Sequence, residues 1–459
     1  LSGQKSLGEL PKPYFHPFAT DKSIATCGKE LSASGMSNQI RVVITGAGVV
    51  SPIGIGREAF VESLRLGRSG VSRWDADPSA DSLGPFLVAR IQDFDGKNYI
   101  QPRKAIKLMS RELQTAYAAS MLAFQDAKLH RDSLDADRIG TVFGSEMIYG
   151  DLEEYSDAIK RSVVDGSFTS GNWGSEGMRL MNPLWMLKYL PNMAACHVGI
   201  ALDARGPNNT ITSEENSGLL ALIEAANVIR RNAADVMVVG ATGNRVNTTR
   251  LLYRRHQKIS QHFSNPTEAL RPFDTDRDGM VEGEGAAALV IESLEHALRR
   301  QAPILAEFVG WGCSCVKPAE AYGGSRLAVA NALNGALKMS QLQTHQLDHI
   351  NANGNGTRSE DLEEATAIAT IARSTPVTAL KSYFGSLGAA TALAELTGSL
   401  WGAAENRVFP TLNTKQVDPD CPVHLIQGEA KPWQQDYFAK LSQTCYGQAA
   451  CVILRKSPK

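Results

Sequence analysis

Runs of apolar residues alternate along this chain with periodic amphipathic stretches. The run Arg41-Val42-Val43-Ile44 leads into Thr45-Gly46-Ala47-Gly48-Val49-Val50-Ser51-Pro52-Ile53-Gly54 and predicts a buried strand ending in a glycine-rich turn. Lys104 to Ala127 carries its apolar residues at helical spacing and predicts an amphipathic helix, followed by a buried strand over Arg138 to Ser145. Ala234 to Ala241 is apolar apart from Asp235 near its start, as a strand covered on both faces by helices must be. From Ala306 (Ala306-Glu307-Phe308-Val309-Gly310-Trp311-Gly312) the pattern of strand then helix restarts, so the second half resembles the first in outline. The sharpest change of period lies at Gly206-Pro207-Asn208-Asn209-Thr210-Ile211-Thr212-Ser213-Glu214-Glu215-Asn216-Ser217-Gly218, where an extended segment turns into the helical run Leu219 to Ile229. A side chain at that corner is presented at a helix N-terminus. In a nucleophile elbow the corner carries Ser or Cys; here it carries Glu215.

The 459 residues, 43% of them apolar, suffice for two domains or one large duplicated unit with a sizeable core. Charge changes the picture little. Forty-seven basic and 48 acidic residues leave a net charge of -1, which gives no electrostatic reason to expect nucleic acid or an anionic membrane as partner. No apolar run approaches the roughly 18 residues of a membrane span. Seven cysteines, at 27, 196, 313, 315, 421, 445 and 451, are odd in number and lack C-x-x-C spacing, which disfavours a disulfide framework and a zinc site and points to a reducing compartment. Residues 1 to 35 are polar and precede Met36, so an extension of unassigned role is expected there.

Two motif-like stretches carry less than they suggest. The glycines at 46, 48 and 54 do not form G-x-G-x-x-G, and structural glycines are the better reading. The alternating acids of Arg271-Pro272-Phe273-Asp274-Thr275-Asp276-Arg277-Asp278-Gly279 lack the bidentate Glu of a calcium loop at its spacing. No metal site and no cofactor is expected.

The elbow, the Arg271 to Val290 stretch and the glycine-rich first strand together resemble the type II ketosynthases, the 3-oxoacyl-carrier-protein synthases of the thiolase superfamily, from about residue 40 to 456. The resemblance implies an α/β, thiolase-like fold in which duplicated βα halves stack as five alternating α and β layers, with the site where the halves meet. It implies an extension over 1–38, an N-terminal half over 39–296 and a C-terminal half over 297–459. Counting from Gly206-Pro207 in the frame Gly-Pro-x-x-x-x-x-x-Ala-Cys-x-Ser-Gly puts Glu215 at the family's cysteine. Asn353, in Asn351-Ala352-Asn353-Gly354-Asn355-Gly356-Thr357, takes the place of the first histidine, and Ser386, after Lys381-Ser382-Tyr383-Phe384-Gly385, that of the second. Lys381, Asp361 and Glu364 match the family's buried lysine and its acidic partners, read as structural ion pairing. Tyr446 keeps the aromatic gate of the glycine-rich loop, while Cys445 and Gln448 replace its glycines. Residues 150 to 190, with Trp173, Met178, Met181, Trp185 and Met186, resemble an insertion near the dimer interface and acyl pocket, where these side chains either line an acyl tunnel or pack in the core.

Ketosynthase chemistry needs a thiolate, two imidazoles and an oxyanion hole. A carboxylate at 215 would form a mixed anhydride, and Asn353 and Ser386 cannot titrate near neutral pH. Three readings stay open. The first is a non-condensing partner subunit like the chain-length factors, acting in fatty acid or polyketide biosynthesis. The second is an enzyme using Glu215 as general acid or base on an acyl thioester, and the third an inert scaffold with Glu215 capping its helix. A nucleophilic Cys445 is a fourth, remote option. The resemblance implies a cytoplasmic protein, an acyl carrier protein bearing an acyl or malonyl thioester as partner, and a homodimer or a heterodimer with an active ketosynthase.

Overall fold

In the computed structural model, residues 40–75, 85–253 and 258–457 are described. Five long strands of the first half are β1 (Val42–Ser51), β2 (Ile139–Ser145), β3 (Asn208–Thr212), β4 (Val236–Asn244) and β5 (Glu282–Ser293). Their counterparts in the second half are β6 (Ala306–Cys315), β7 (Leu347–Asn351), β8 (Pro376–Thr378), β9 (Tyr437–Gln443) and β10 (Gln448–Lys456). The first five are ordered β3-β2-β4-β5-β1 and the second five β8-β7-β9-β10-β6. Third, second, fourth, fifth, first is the order in both.

The directions repeat as well. β2 runs parallel to β3 and β4, while β5 is antiparallel to β4 and β1. β7 runs parallel to β8 and β9, while β10 is antiparallel to β9 and β6. The two sets join edge to edge where Val42, Val43 and Ile44 of β1 pair with Phe308, Glu307 and Ala306 of β6.

Helices fall into matching places: α1 (Arg111–Asp126), α2 (Met193–Leu202) and α3 (Ser217–Arg230), then α4 (Arg326–Ser340), α5 (Arg358–Ala372) and α6 (Thr391–Ala404). Side-chain alternation along the strands assigns the layers. Met237 and Val239 of β4 face a core shared by α3 and α6, while Val236 and Val238 face α1 and α2. Ala450, Val452 and Leu454 of β10 enter that same central core, and Ala449, Cys451 and Ile453 face α4 and α5. The layers are therefore α1/α2, sheet, α3/α6, sheet, α4/α5. α6 is buried over Thr391 to Ala403, which explains why most of its residues are small or apolar.

The first strands carry glycines for a packing reason. A Cβ at Gly48 would lie 2.2 Å from the Ala119 carbonyl oxygen of α1, and one at Gly312 would lie 2.1 Å from that of Ala332 in α4. The glycine-rich turn is thus helix-to-strand contact in both halves. One expectation needs correcting: Lys104 to Ala127 is not a single helix. A 3-10 segment, Arg103–Leu108, ends at extended Met109 and Ser110 before α1 begins. The break buries Met109 and sets Arg111 against Glu284, at 2.5 and 3.0 Å. Among the described residues no helix is long and apolar enough to cross a membrane.

Candidate functional site

The corner between β3 and α3 is a 3-10 turn, Glu214–Asn216, entered through Glu214 at a left-handed φ of 48°. Ser217 fixes it: its hydroxyl accepts the Ser213 N–H at 2.7 Å and faces the carbonyl oxygens of Glu214 and Ser145 at 2.7 and 3.1 Å. The second half braces the corner. Ser442 of β9 donates to the Glu215 carbonyl at 3.2 Å, and the Ser213 hydroxyl donates to the Gln448 side chain at 3.1 Å. Gln448, which replaces a glycine of the family loop, ties that loop to the elbow.

The Glu215 side chain turns inward, away from any capping role. No side-chain cap closes the start of α3, so the capping reading of Glu215 is incorrect. Its carboxylate meets Nη1 of Arg245, the residue just beyond β4, whose side chain is fully buried. The same Nη1 donates to the Ser386 hydroxyl at 3.2 Å. Nε and Nη2 donate to the two oxygens of Glu146 at 3.3 and 2.9 Å, and Nη2 also reaches Glu214 at 3.4 Å. Glu282 stands 3.9 Å away and pairs with buried Arg250 at 2.8 Å. Burial opposes charge on Arg245, but Glu146, Glu215 and Glu282 outweigh it and keep the guanidinium charged. Burial likewise pushes Glu215 up, yet Arg245 and Lys381 more than offset this and hold its carboxyl below the ordinary range.

Asn353 lies on the loop after β7. Its side-chain oxygen accepts from Lys381 Nζ at 2.9 Å, and Asn355 accepts from the same ammonium at 3.1 Å. Glu364 and Asp361 do not ion-pair directly with Lys381, which corrects the expected pairing. Glu364 takes the backbone N–H groups of Asn353 and Gly354 at 2.6 and 2.8 Å, and Asp361 takes those of Phe273 and Asn355 at 2.8 Å. They shape the loop by satisfying its amides; Asp361 also stands 3.7 Å from buried Arg277, and Lys440 pairs with Glu395 at 2.7 Å. Burial raises Asp361 and pushes Glu364 up to about 7.

A cavity of about 70 Å³ opens beside Glu215, with Asn355, Glu360, Lys258, Tyr322 and Cys445 in its wall. A hollow of about 300 Å³ shares Lys258 and Ser359 with it and adds Arg358 at the rim. Glu360 accepts from Asn355 and Thr357 at 3.2 Å each. Burial, then the charge on Glu215, pushes Glu360 up to about 7. The Cys445 thiol is driven well up by burial and by the nearby carboxylates, the opposite of an activated nucleophile. Tyr446 is absent from the cavity wall. It is 38% exposed and makes an edge contact with Tyr322, so the aromatic that faces the cavity is Tyr322. Trp173, Met178, Met181, Trp185 and Met186 do not line the cavity either: Met178 and Met186 are exposed, Met181 is buried, and Trp173 and Trp185 pack on Phe168 and Tyr155.

The structure thus joins Glu215 to Ser386 through Arg245, and Asn353 to Asn355 through Lys381. Arg245, Glu146, Glu282 and Glu360 are functional-site residues that the sequence reading missed. The usable signal was a charged residue directly after each of two buried strands, Glu146 after β2 and Arg245 after β4. Among the described residues no imidazole lines the cavity, and its carboxylates are committed to Arg245 or to the loop. Chemically, the site can hold hydrogen-bonding groups and one exchangeable carboxyl proton, at Glu360. It offers no activated nucleophile.

The family model described as Beta-ketoacyl synthase, N-terminal domain, matches residues 39–297, and the one described as Beta-ketoacyl synthase, C-terminal domain, matches residues 305–415. The 3-oxoacyl-(acyl-carrier-protein) synthase 2 of Synechocystis sp. is 32% identical over 406 residues, covering 85% of this chain and 92% of that protein. Among solved structures, a beta-ketoacyl synthase from Burkholderia phymatum superposes with a TM-score of 0.81 at 29% identity, over 91% of this chain and 100% of that one. The ishigamide ketosynthase/chain length factor gives a TM-score of 0.79 at 27% identity, over 92% and 100% of the two chains.

Proposed function

We propose, from the premise that this chain belongs to the beta-ketoacyl synthase family, that it is a non-condensing subunit of the chain-length-factor kind. In this reading Glu215, Asn353 and Ser386 stand where the family's Cys, His and His stand, and the chain works beside an active ketosynthase on carrier-bound acyl groups in fatty acid or polyketide synthesis. The observation that carries it is the Glu215–Arg245–Glu146 pairing. Condensation requires an attacking atom with a free electron pair aimed at the thioester carbonyl. At this corner the only candidate is a carboxylate whose charge is neutralised by a buried guanidinium, so it neither attacks nor accepts a proton readily. The residue that lines the cavity beside it, Cys445, is held as the thiol.

Decarboxylation of a malonyl group fares no better. Among the described residues no imidazole lines the cavity to hold the thioester carbonyl as carbon dioxide leaves. Asn353 keeps its amide near the loop through Lys381, which suits hydrogen bonding to a carbonyl and not proton transfer.

A second reading, acid–base chemistry on an acyl thioester, draws support from one feature: burial and the charge on Glu215 push Glu360 up to about 7 in the same cavity in which Arg245 and Lys381 hold Glu215 below its ordinary range. Two carboxyls driven apart in this way are the usual arrangement of an acid and its electrostatic partner.

One experiment separates the two. The purified chain is incubated with carrier proteins loaded with malonyl, acyl, 3-hydroxyacyl or enoyl groups, and carrier masses are followed, with Glu215→Gln and Glu360→Gln alongside. The proposal expects no mass change with the chain alone, and capture of an active ketosynthase from a mixture. A mass change that Glu360→Gln abolishes would replace it with the second reading.

A further inference from the structure

We infer that the chain holds a second ligand site, a polar cavity that takes a small organic cation, with its ammonium group against Glu112 and its carbon skeleton against Trp74, Tyr149 and Tyr189. Glu215 is not in its wall, and the inference does not depend on the carrier-linked reading. The cavity has a volume of about 420 Å³, within the range of small-molecule pockets. Most of its charged groups are already engaged. Arg111 pairs with Glu284 at 2.5 and 3.0 Å, Lys188 pairs with Glu154 at 2.7 Å, and Arg90 lies 5.4 Å from the centre of the Trp74 ring. Asp151, exposed at the rim, accepts from Asn247 at 3.1 Å. Glu112 is the group left over. It lines the cavity at 5% exposure, and its carboxyl has the Ser110 hydroxyl and its own backbone N–H beside it but no ion-pair partner among the described residues.

Glu112 is held in place through its backbone. The break at Met109 and Ser110 starts α1 at Arg111, so Glu112 falls in its first turn. Its carbonyl oxygen accepts from the Thr115 hydroxyl at 3.0 Å and from that of Thr242, on β4, at 2.8 Å. A buried carboxyl without a counter-charge is costly when ionised, and burial pushes Glu112 up to about 7. A cation in the cavity removes that cost: Glu112 releases its proton to solvent, and the carboxylate pairs with the ammonium. The aromatic walls suit the same ligand, since ring faces attract a cation and their area covers its alkyl part. An anion would meet Glu112, Asp151, Glu154 and Glu284, with Arg90 as the one lining cation free of a carboxylate among the described residues. The charge balance selects a cation.

Calorimetric titration of n-butylammonium chloride into the full chain tests this. At about pH 8 one saturable site is expected, and sodium butyrate should show none. Because the Glu112 proton must leave, affinity should fall about tenfold between about pH 8 and about pH 6. Burial raises Glu154, but Lys188 and Tyr189 outweigh it and hold it below the ordinary range, while burial and Glu154 drive Tyr189 well up, so neither titrates in that window. Asp151 is raised by burial, and Asp151→Asn controls for it: this variant should keep the pH dependence. Glu112→Gln should weaken binding at least tenfold at the higher pH and flatten the profile. No saturable heat at the higher pH, butyrate binding as tightly as butylammonium, or wild-type affinity in Glu112→Gln overturns the site. Should Glu112→Gln not fold, the profile of Asp151→Asn decides alone: a tenfold fall upholds Glu112 as the ammonium's partner, and a flat profile overturns it.

Discussion

Arg245 brings together groups that lie as far apart in sequence as residues 146 and 386, and its energetics follow from that convergence. Removing the cation leaves Glu146 and Glu215 buried without their partner, so Arg245→Ala is expected to cost about 3–5 kcal/mol in urea unfolding. Glu215→Gln keeps a hydrogen-bond acceptor and leaves Glu146 in place, so its cost is expected nearer 1–3 kcal/mol. Equal losses in the two variants would argue that Arg245 is held mainly by Glu215. The carboxyls of the cavity add a pH signature. Folded Glu360 holds its proton up to about 7, against an ordinary value of 4.5, so its share of stability is full below about 4.5 and is lost as pH rises through 7. Glu215 has the opposite sign: held below its ordinary value, it contributes stability above about 4.5 that is lost as pH falls further. Between about pH 5 and 8, Glu360→Gln should therefore gain on the wild type, on the order of 1–3 kcal/mol. A constant difference over that range would show that Glu360 ionises normally. The positions of Glu215, Asn353 and Ser386 were legible because motif frames are counted along the chain. Arg245 was not, since its role exists only once Glu146, Glu282 and Ser386 arrive beside it from other elements.

At the scale of elements, the duplication resides in packing as much as in topology. Gly48 of β1 and Gly312 of β6 occupy matching strands, and each lets a helix backbone, α1 or α4, approach where a methyl group would collide with a carbonyl oxygen. Gly48→Ala and Gly312→Ala should each overpack that contact and destabilise by about 1–3 kcal/mol or more, read as a lower melting temperature. A neutral result at either would show that its helix can move away freely. The strand runs, the elbow and its helix were readable because burial on both faces leaves continuous apolar sequence, and because a change of period marks the corner. The interruption at Met109 and Ser110 was not readable. Helical spacing continues across it, and the chain breaks there because Arg111 must reach Glu284 on β5, a tertiary demand that periodicity does not encode. For the insertion over residues 150 to 190 the sequence left tunnel lining and core packing open, because Met and Trp have the same sequence appearance in a pocket, a core or an exposed face.

For the whole molecule, surface chemistry argues for association. Met147 is 64% exposed, Phe168 55%, Met178 54% and Ile200 76%, all within the part of the chain that precedes the elbow. β3 follows directly and ends the sheet, with Asn208, Asn209 and Thr212 exposed along an edge free to pair. Large exposed apolar side chains and a strand edge without a neighbour are each costly in a lone subunit and mark contact surfaces. The isolated chain should therefore run at twice its subunit mass in light scattering at micromolar concentration, and mixing with an active ketosynthase should convert it to a mixed dimer. Ile200→Glu places a charge on the most exposed of these residues and is expected to weaken either dimer at least tenfold while leaving the fold intact, since the side chain makes little contact with its own core. A monomer at micromolar concentration, unchanged by the ketosynthase, would remove the partner reading and leave Glu360 as the residue to pursue.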